Sequence, residues 1–310
     1  MLFSDLTKSK AQELNPEFEK LFNLAIVNQN HPGDIILLHQ NGTYDPSVTR
    51  FEGVTLNPHV IGPGRIGWSY YTHYQFINQY RQTQTAKVTH VEWTAKIQEL
   101  IEAQNWNERD KHVDFEASTI HIETLVYLKI WESDYFIKTL YEFARMLEGK
   151  PYDWNFRIYE SARDSGATGV RHDIIRKYIR DKIKKFSPKI YDALKLSYFT
   201  QLRNSIAHSN FIFQGDYMQL GNYIEDDPHS QVRAISFQEW TEKFHTTMII
   251  YDNFIGILNR AREYSKALMD KSKNVHDVLV TDKRDKGNDK TYLLPVVYDP
   301  EFERYSYKQN

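Results

Sequence analysis

Apolar residues along the chain recur mainly at spacings of three and four, the signature of amphipathic helices. Phe136, Leu140, Phe143 and Leu147 keep that rhythm at the end of a helical stretch running from about Ser118 to Glu148, and Gly149 with Pro151 supplies a stop signal. Two further stretches, WSYYTHYQFINQYR from Trp68 and VEWTAKIQELIEAQ from Val91, read the same way. Ser187 and Pro188 start another helix, in which Tyr191, Leu194, Tyr198, Leu202 and Ile206 form one stripe. Ser236 and Glu239 then make a capping box ahead of Phe237, Trp240, Phe244, Met248, Tyr251, Ile255 and Leu258, a repeat that runs over more than about six turns. Near the N-terminus, Asn15 reads as an N-cap with Pro16 at the first helical position, and this helix closes near His31, Pro32 and Gly33.

Elsewhere the rhythm fails. Residues 33–67 hold a short apolar run, an Asn41-Gly42 turn signal and scattered glycines and prolines, which predicts irregular structure with room for one hairpin. Residues 214–233 read as a polar loop. The C-terminal stretch is charged and turn-rich before TYLLPVVYDPEFERYSY, where Pro295 and Pro300 suit an edge hairpin or an ordered tail but not a central strand. The expected fold is all-α: a helical bundle over 69–275, an N-terminal helix with an irregular segment over 1–68, and a short C-terminal hairpin or tail over 276–310.

Composition narrows the chemistry. The chain has 310 residues, 41% of them hydrophobic and 26% charged, and no cysteine, so thiolate zinc sites, iron–sulfur clusters and thiol nucleophiles drop out. The N-terminal residues lack the apolar core of a signal peptide, and no run approaches the length of a membrane span, so a soluble cytoplasmic protein with no membrane partner is expected. The net charge of -2 predicts no general attraction to nucleic acid, yet the charge is clustered. Between Arg171 and Lys189 stand eight Lys and Arg against two Asp, a local net of +6 that leaves -8 for the rest. His172, Arg176, Arg180 and Lys184 recur every four residues, so on a helix they form a basic ridge, with Lys177 beside it, opposite a buried stripe of Ile175, Ile179, Ile183 and Phe186. Arg176, Lys177, Arg180 and Lys184 are therefore candidates for contact with a phosphate backbone, that is, with RNA.

Downstream lies Gln201-Leu202-Arg203-Asn204-Ser205-Ile206-Ala207-His208-Ser209-Asn210. Its Arg203, Asn204 and His208 resemble the marker of the ribonuclease-type HEPN superfamily, an Arg, a polar residue, a few further residues and a His. The resemblance implies a HEPN-like helical bundle, metal-independent endoribonuclease activity with Arg203, Asn204 and His208 as catalytic residues and no cofactor, and a homodimer that lines one cleft with both motifs. It further implies a bacterial defence or toxin setting, whose regulatory partner is not legible here. Where HEPN toxins paired with nucleotidyltransferase antitoxins carry a Tyr two places after the His, this chain has Asn210, which argues against that subgroup.

The residues themselves suit the chemistry. A histidine, with an ordinary pKa of about 6.5, can take the proton of a ribose 2′-OH or give one to the leaving 5′-oxygen at neutral pH. A guanidinium can hold two non-bridging oxygens as phosphorane charge develops, and Asn204 would orient phosphate or imidazole. On an ideal helix with Leu202 facing the core, Asn204 and His208 are neighbours while Arg203 points away. Either the helix breaks between Ile206 and Ser209 or a second copy completes the site. Glu132 and Asp134 are possible orienters. The alternatives are a non-catalytic HEPN module that binds RNA, a nucleotide or a partner protein, and a helical scaffold in which Arg203 and His208 merely pack.

Other patterns are weaker. Gly62-Pro63-Gly64-Arg65-Ile66-Gly67 formally spells a dinucleotide fingerprint but follows no convincing strand. His90 with Glu92 and His121 with Glu123 stand two apart, on different faces of a helix, which is poor spacing for a metal. Aromatic-rich WSYYTHYQF could stack bases, though at helical spacing it reads as core.

Overall fold

A computed structural model of the chain describes residues 1–48, 50–51, 53–62, 69–159, 167–271, 275–283, 289–301 and 304–308. In chain order the helices are α1 (Ser4–Asn28), α2 (Asp34–Gln40), α3 (Ser69–Gln84), α4 (His90–Glu102), α5 (Trp106–Trp131), α6 (Asp134–Leu147), α7 (Arg171–Asp173), a π-helix (Ile174–Arg180), α8 (Asp181–Ile183), α9 (Pro188–Ser197), α10 (Thr200–Ala207) and α11 (Phe237–Lys271). The strands are β1 (Thr43–Tyr44), β2 (Arg50–Phe51), β3 (Val54–Thr55), β4 (His59–Val60), β5 (Phe211–Gln214), β6 (Tyr217–Leu220), β7 (Ala234–Ser236), β8 (Val275–Asp282), β9 (Lys290–Asp299) and β10 (Arg304–Tyr307).

An all-α fold is therefore the wrong class: helices dominate, but antiparallel sheet joins them. One three-stranded sheet has the order β5-β6-β7, a second the order β10-β9-β8, and β1-β4 and β2-β3 are short two-stranded ladders. β6 of the first sheet lies within the 214–233 span expected to be a polar loop, and β5 and β7 flank that span. Its β5–β6 connection is a two-residue turn, with Gln214 opposite Tyr217 and Gly215 at φ 56°, and only Met218 and Leu220 of β6 are buried, too few to mark a period of two.

In the second sheet β9 is the central strand despite Pro295. The carbonyl of Pro295 accepts from the Lys308 N–H at 2.9 Å, so both backbone positions of Pro295 face β10. Opposite Asp277 of β8 it occupies a non-hydrogen-bonded pair, and its missing N–H falls just past the end of β10 instead of inside a ladder. β10 follows the second proline, Pro300.

Three helix boundaries also differ from expectation. α1 begins at Ser4 and contains Pro16, so Asn15 is no cap; Gln12 and Pro16 are both exposed, so the carbonyl left without a helical donor lies on an exposed stretch of the helix. The 118–148 stretch is interrupted at Glu132 and Ser133, where Ser133-Asp134 is a start signal hidden within the apolar rhythm. Asn41-Gly42 closes α2 with Asn41 at φ 52°, ψ 60° and is no hairpin turn; among the described residues the hairpin of the region is β2–β3.

The chain divides into two compact units. The first comprises Met1–Pro16, Tyr71–Ser133 and Lys189–Asp252. There α5 packs on α4 and α10, and Trp131, Trp240, Tyr127 and Phe244 are buried. Glu123 is 1% exposed, and its carboxylate accepts from the Tyr80 hydroxyl at 2.8 Å, the Trp240 indole at 2.5 Å and the Met1 amine. A buried carboxylate in an aromatic core is tolerable only with such a full set of donors.

The second comprises Glu17–Tyr70, Asp134–Pro188 and Asn253–Asn310. Here α2 packs on α6 and β8, and α6 on the π-helix. Phe136, Leu140, Phe143 and Leu147 are buried as the spacing predicts. Lys138 is buried with them, its ammonium donating to the Gly42 carbonyl at 2.5 Å, and burial lowers its pKa to about 8 against the pull of Glu142 and Asp153.

Candidate active site

The Arg203-to-His208 motif lies on α10, whose start and end are both set by identifiable bonds. Phe199, in extended conformation at φ -131°, ψ 117°, separates α10 from α9, so the single stripe expected from Tyr191 to Ile206 is broken in two. Next to that break the Tyr127 hydroxyl, from α5, donates to the Ser197 carbonyl at 3.0 Å. Leu202 and Ile206 anchor α10 in the core, and Gln201 clasps Val232 from both ends of its amide, accepting from the Val232 N–H at 3.1 Å and donating to its carbonyl at 2.8 Å.

The helix ends at Ala207, with His208 as its C-cap and Ser209 left-handed at φ 51°. The Asn210 N–H reaches the Ser205 carbonyl at 2.8 Å and the Ser209 N–H the Ile206 carbonyl at 3.1 Å, the two bonds of a Schellman closure. Fully buried Ser205 adds a hydroxyl bond to the Asn210 carbonyl. Of the two arrangements weighed from the spacing, the helix break between Ile206 and Ser209 is present within one chain.

Arg203 Nε donates to a carboxylate oxygen of Glu132, the residue that caps α5, and Nη1 donates to Asn204 Oδ1 at 2.8 Å. Burial would lower the Arg203 pKa, but the Glu132 carboxylate outweighs it and holds the guanidinium charged. Arg203, Asn204 and Glu132 thus form one assembled group. His208 is exposed at the helix end, and among the described residues its imidazole makes no hydrogen bond, to Arg203 or to any other group. The structure joins Glu132 to the site and assigns Asp134 elsewhere, since Asp134 pairs with Arg171 at 2.7 Å in the second unit.

The basic segment belongs to that second unit, and it is not the regular helix its spacing predicts. The Asp181 N–H bonds the Arg176 carbonyl, five residues back, so Ile174, Ile175, Ile179 and Ile183 all reach the core, while Phe186 is only half-buried. Arg176 and Arg180 are half-buried, and Lys177 and Lys184 are exposed. Lys177 pairs with Asp173 at 3.0 Å and Arg180 with Asp181 at 2.7 Å, and Glu148 of the same unit takes Lys182 and Lys185 at 3.6 and 3.2 Å. Burial would raise the Glu148 pKa, but Lys150 and Lys185 hold it below the usual carboxylate range. Neighbouring acids thus temper the +6 of the sequence.

The weaker patterns have structural roles where they can be followed. Glu92 closes a capping box with Thr89, and the His121 ring packs edge-on to Phe213 at 4.5 Å while Glu123 turns inward to Tyr80 and Trp240. Among the described residues no three or more His, Asp or Glu side chains are grouped to hold a metal. The glycine-rich fingerprint lies, from Pro63 onward, outside the described residues. Among the described residues no helix is long and apolar enough to cross a membrane. Set against protein-family models, curated proteins and solved structures, the chain matches none of them. The HEPN resemblance accordingly rests on Gln201 to Asn210 alone.

Proposed function

We propose that this chain is a metal-independent endoribonuclease of the HEPN type, cytoplasmic and dimeric, with RNA as its substrate. The observation that carries the reading is the end of α10: a charged guanidinium held by Glu132 and Asn204, followed five residues later by an exposed imidazole that makes no hydrogen bond among the described residues. In this mechanism a ribose 2′-oxygen attacks the adjacent phosphorus and the bond to the 5′-oxygen breaks. One His208 takes the 2′-OH proton, and a second proton reaches the leaving 5′-oxygen from the His208 of another copy. The remaining N–H groups of Arg203 hold the non-bridging oxygens as charge builds on them. In this reading a second copy completes the site, since among the described residues His208 makes no hydrogen bond to Arg203 of its own chain. Lys177 and Lys184 offer exposed charge for the rest of the RNA. A role in bacterial defence or as a toxin fits this activity.

The test is cleavage of single-stranded RNA by the full chain in EDTA. The expected products carry 2′,3′-cyclic phosphate and 5′-hydroxyl ends, and His208→Ala abolishes cleavage while RNA binding persists. Strict dependence on a divalent metal, or a fully active His208→Ala, overturns the reading. A second reading, a HEPN module that binds RNA without cutting it, is favoured by one observation: Arg203 already spends two groups on Glu132 and Asn204. It predicts RNA binding with no cleavage in any buffer.

A further inference from the structure

Apart from the motif, the first unit contains a cavity of about 320 Å³, at the lower end of the range that accommodates small organic ligands. Three helices line it: α1 presents Ser4, Lys8 and Ala11, α3 presents Arg81, with Thr85 just past its end, and α11 presents Met248 and Asp252. Leu2, Ala11 and Met248 make an apolar surface, and the lining carries two cations against one carboxylate.

The charges are not equivalent. Arg81 is tied to Asp252 by an ion pair, which fixes the guanidinium at the wall. Among the described residues no carboxylate pairs with Lys8, which lines the cavity and is exposed. Thr7 and Thr85 donate their hydroxyls to the carbonyls four residues back, of Phe3 and Arg81, at 2.9 and 2.6 Å, which leaves oxygen lone pairs but no hydroxyl proton of theirs for a ligand. A single negative charge is thus matched by Lys8 and the free edge of Arg81. A dianion such as a phosphate monoester would face the Asp252 carboxylate with too little positive charge to offset it.

We propose that this cavity is a binding site for an amphipathic monocarboxylate of medium chain length. The aliphatic body lies against Leu2, Ala11 and Met248, and the carboxylate meets Lys8 and Arg81. This inference is independent of the ribonuclease reading, because no residue of the cavity belongs to the Arg203 group.

Isothermal titration of the full chain with octanoate tests it. Saturable binding with a dissociation constant below about 5 mM is expected. Octan-1-ol, of the same length but uncharged, should bind at least about tenfold more weakly, and octylamine, of opposite charge, should not bind. Two variants locate the site: Lys8→Glu, on an exposed position, should weaken octanoate about tenfold or more, and Ala11→Trp, which fills the cavity, should abolish binding. Thermal melting shows whether each variant is folded, and if Ala11→Trp is not, Lys8→Glu decides alone. No saturable octanoate binding, octylamine binding as tightly as octanoate, or an unchanged affinity in folded variants overturns the proposal.

Discussion

Replacing Glu132 by Gln separates the two effects that this carboxylate should have on Arg203. Glutamine keeps the shape and an acceptor for the Nε–H, but it removes a negative charge in contact with the guanidinium. The two side chains are 22% and 30% exposed, so the pair is partly hydrated and its loss should lower stability by only about 1 kcal/mol. Function should respond more strongly, and with opposite signs in binding and chemistry. A phosphate held by Arg203 feels the nearby carboxylate as a repulsion of about 1 kcal/mol in a partly aqueous site, so the variant should bind RNA severalfold more tightly. The guanidinium, now fastened mainly through Asn204, should lose its alignment with the developing charge, and the single-turnover rate should fall about tenfold, equivalent to about 1.4 kcal/mol. Arg203→Ala, which removes the charge itself, should cost about 100-fold or more. The assay is single-turnover cleavage of a labelled RNA across enzyme concentrations, with a thermal melt of each variant. A Glu132→Gln protein that cleaves and binds as the wild type does, beside an inactive Arg203→Ala, would refute the positioning role.

Three further outcomes follow from the same physics. Burial pushes the Asp34 carboxyl up to about 7, against the opposing pull of backbone bonds from His31 and Tyr152 and of the Arg145 guanidinium; its unfolded value is about 4, so the unfolded chain releases its proton first and stability should drop between about pH 4 and 7 by up to about 4 kcal/mol. Asp34→Asn should flatten that slope in urea melts recorded across the interval, and parallel curves for the two proteins would count against it. Ser209→Gly, at φ 51°, should raise stability by about 0.5–1 kcal/mol in chemical denaturation by relieving the left-handed strain, and a loss instead would show that the serine side chain matters more than its backbone. The double variant Lys177→Glu, Lys184→Glu should weaken RNA binding without changing which bonds are cut, and should reduce the salt slope of log K by about 0.7 for each phosphate no longer neutralised; an unaltered slope excludes this segment from the RNA interface.

The helices were largely legible because each buries a stripe on its own: Phe136 to Leu147 and Phe237 to Leu258 need no partner strand to reveal their period. What the sequence hid were features decided by tertiary pairing. β6 buries only Met218 and Leu220, and its value lies in bonds to β5 and β7. Pro295 argued against a central strand by a rule that holds for a residue with neighbours on both sides along its whole length; here β10 stops where the proline stands, so the rule has nothing to forbid. The π-helix is a third case. The repeat of His172, Arg176, Arg180 and Lys184 looked like α-helical order, yet a core that takes up both Ile174 and Ile175 along with Ile179 selects i to i+5 bonding instead.

At the motif the sequence supplied residue types and the fold supplied their relations. Arg203 and Asn204 are adjacent in the chain, which by itself would splay them around the helix, but a long guanidinium can turn back to its neighbour's amide, and Glu132 from α5 fixes that turn. Nothing in the spacing from 132 to 203 could have required this pairing; it exists because α5 ends where α10 packs against it. His208 is different, because its freedom is local in origin. Ser209 adopts a left-handed conformation, the Ser205 and Ile206 carbonyls take the two closing N–H groups, and β5 begins three residues after the imidazole. A histidine in the interior of a helix would have its ring against the preceding turn, whereas one at a Schellman closure stands where the chain turns away. The same ten-residue stretch therefore ties its arginine by side-chain bonds and leaves its histidine exposed. In the proposed mechanism the acid–base group serves a substrate bound by another copy of the chain, and that division suits such a role.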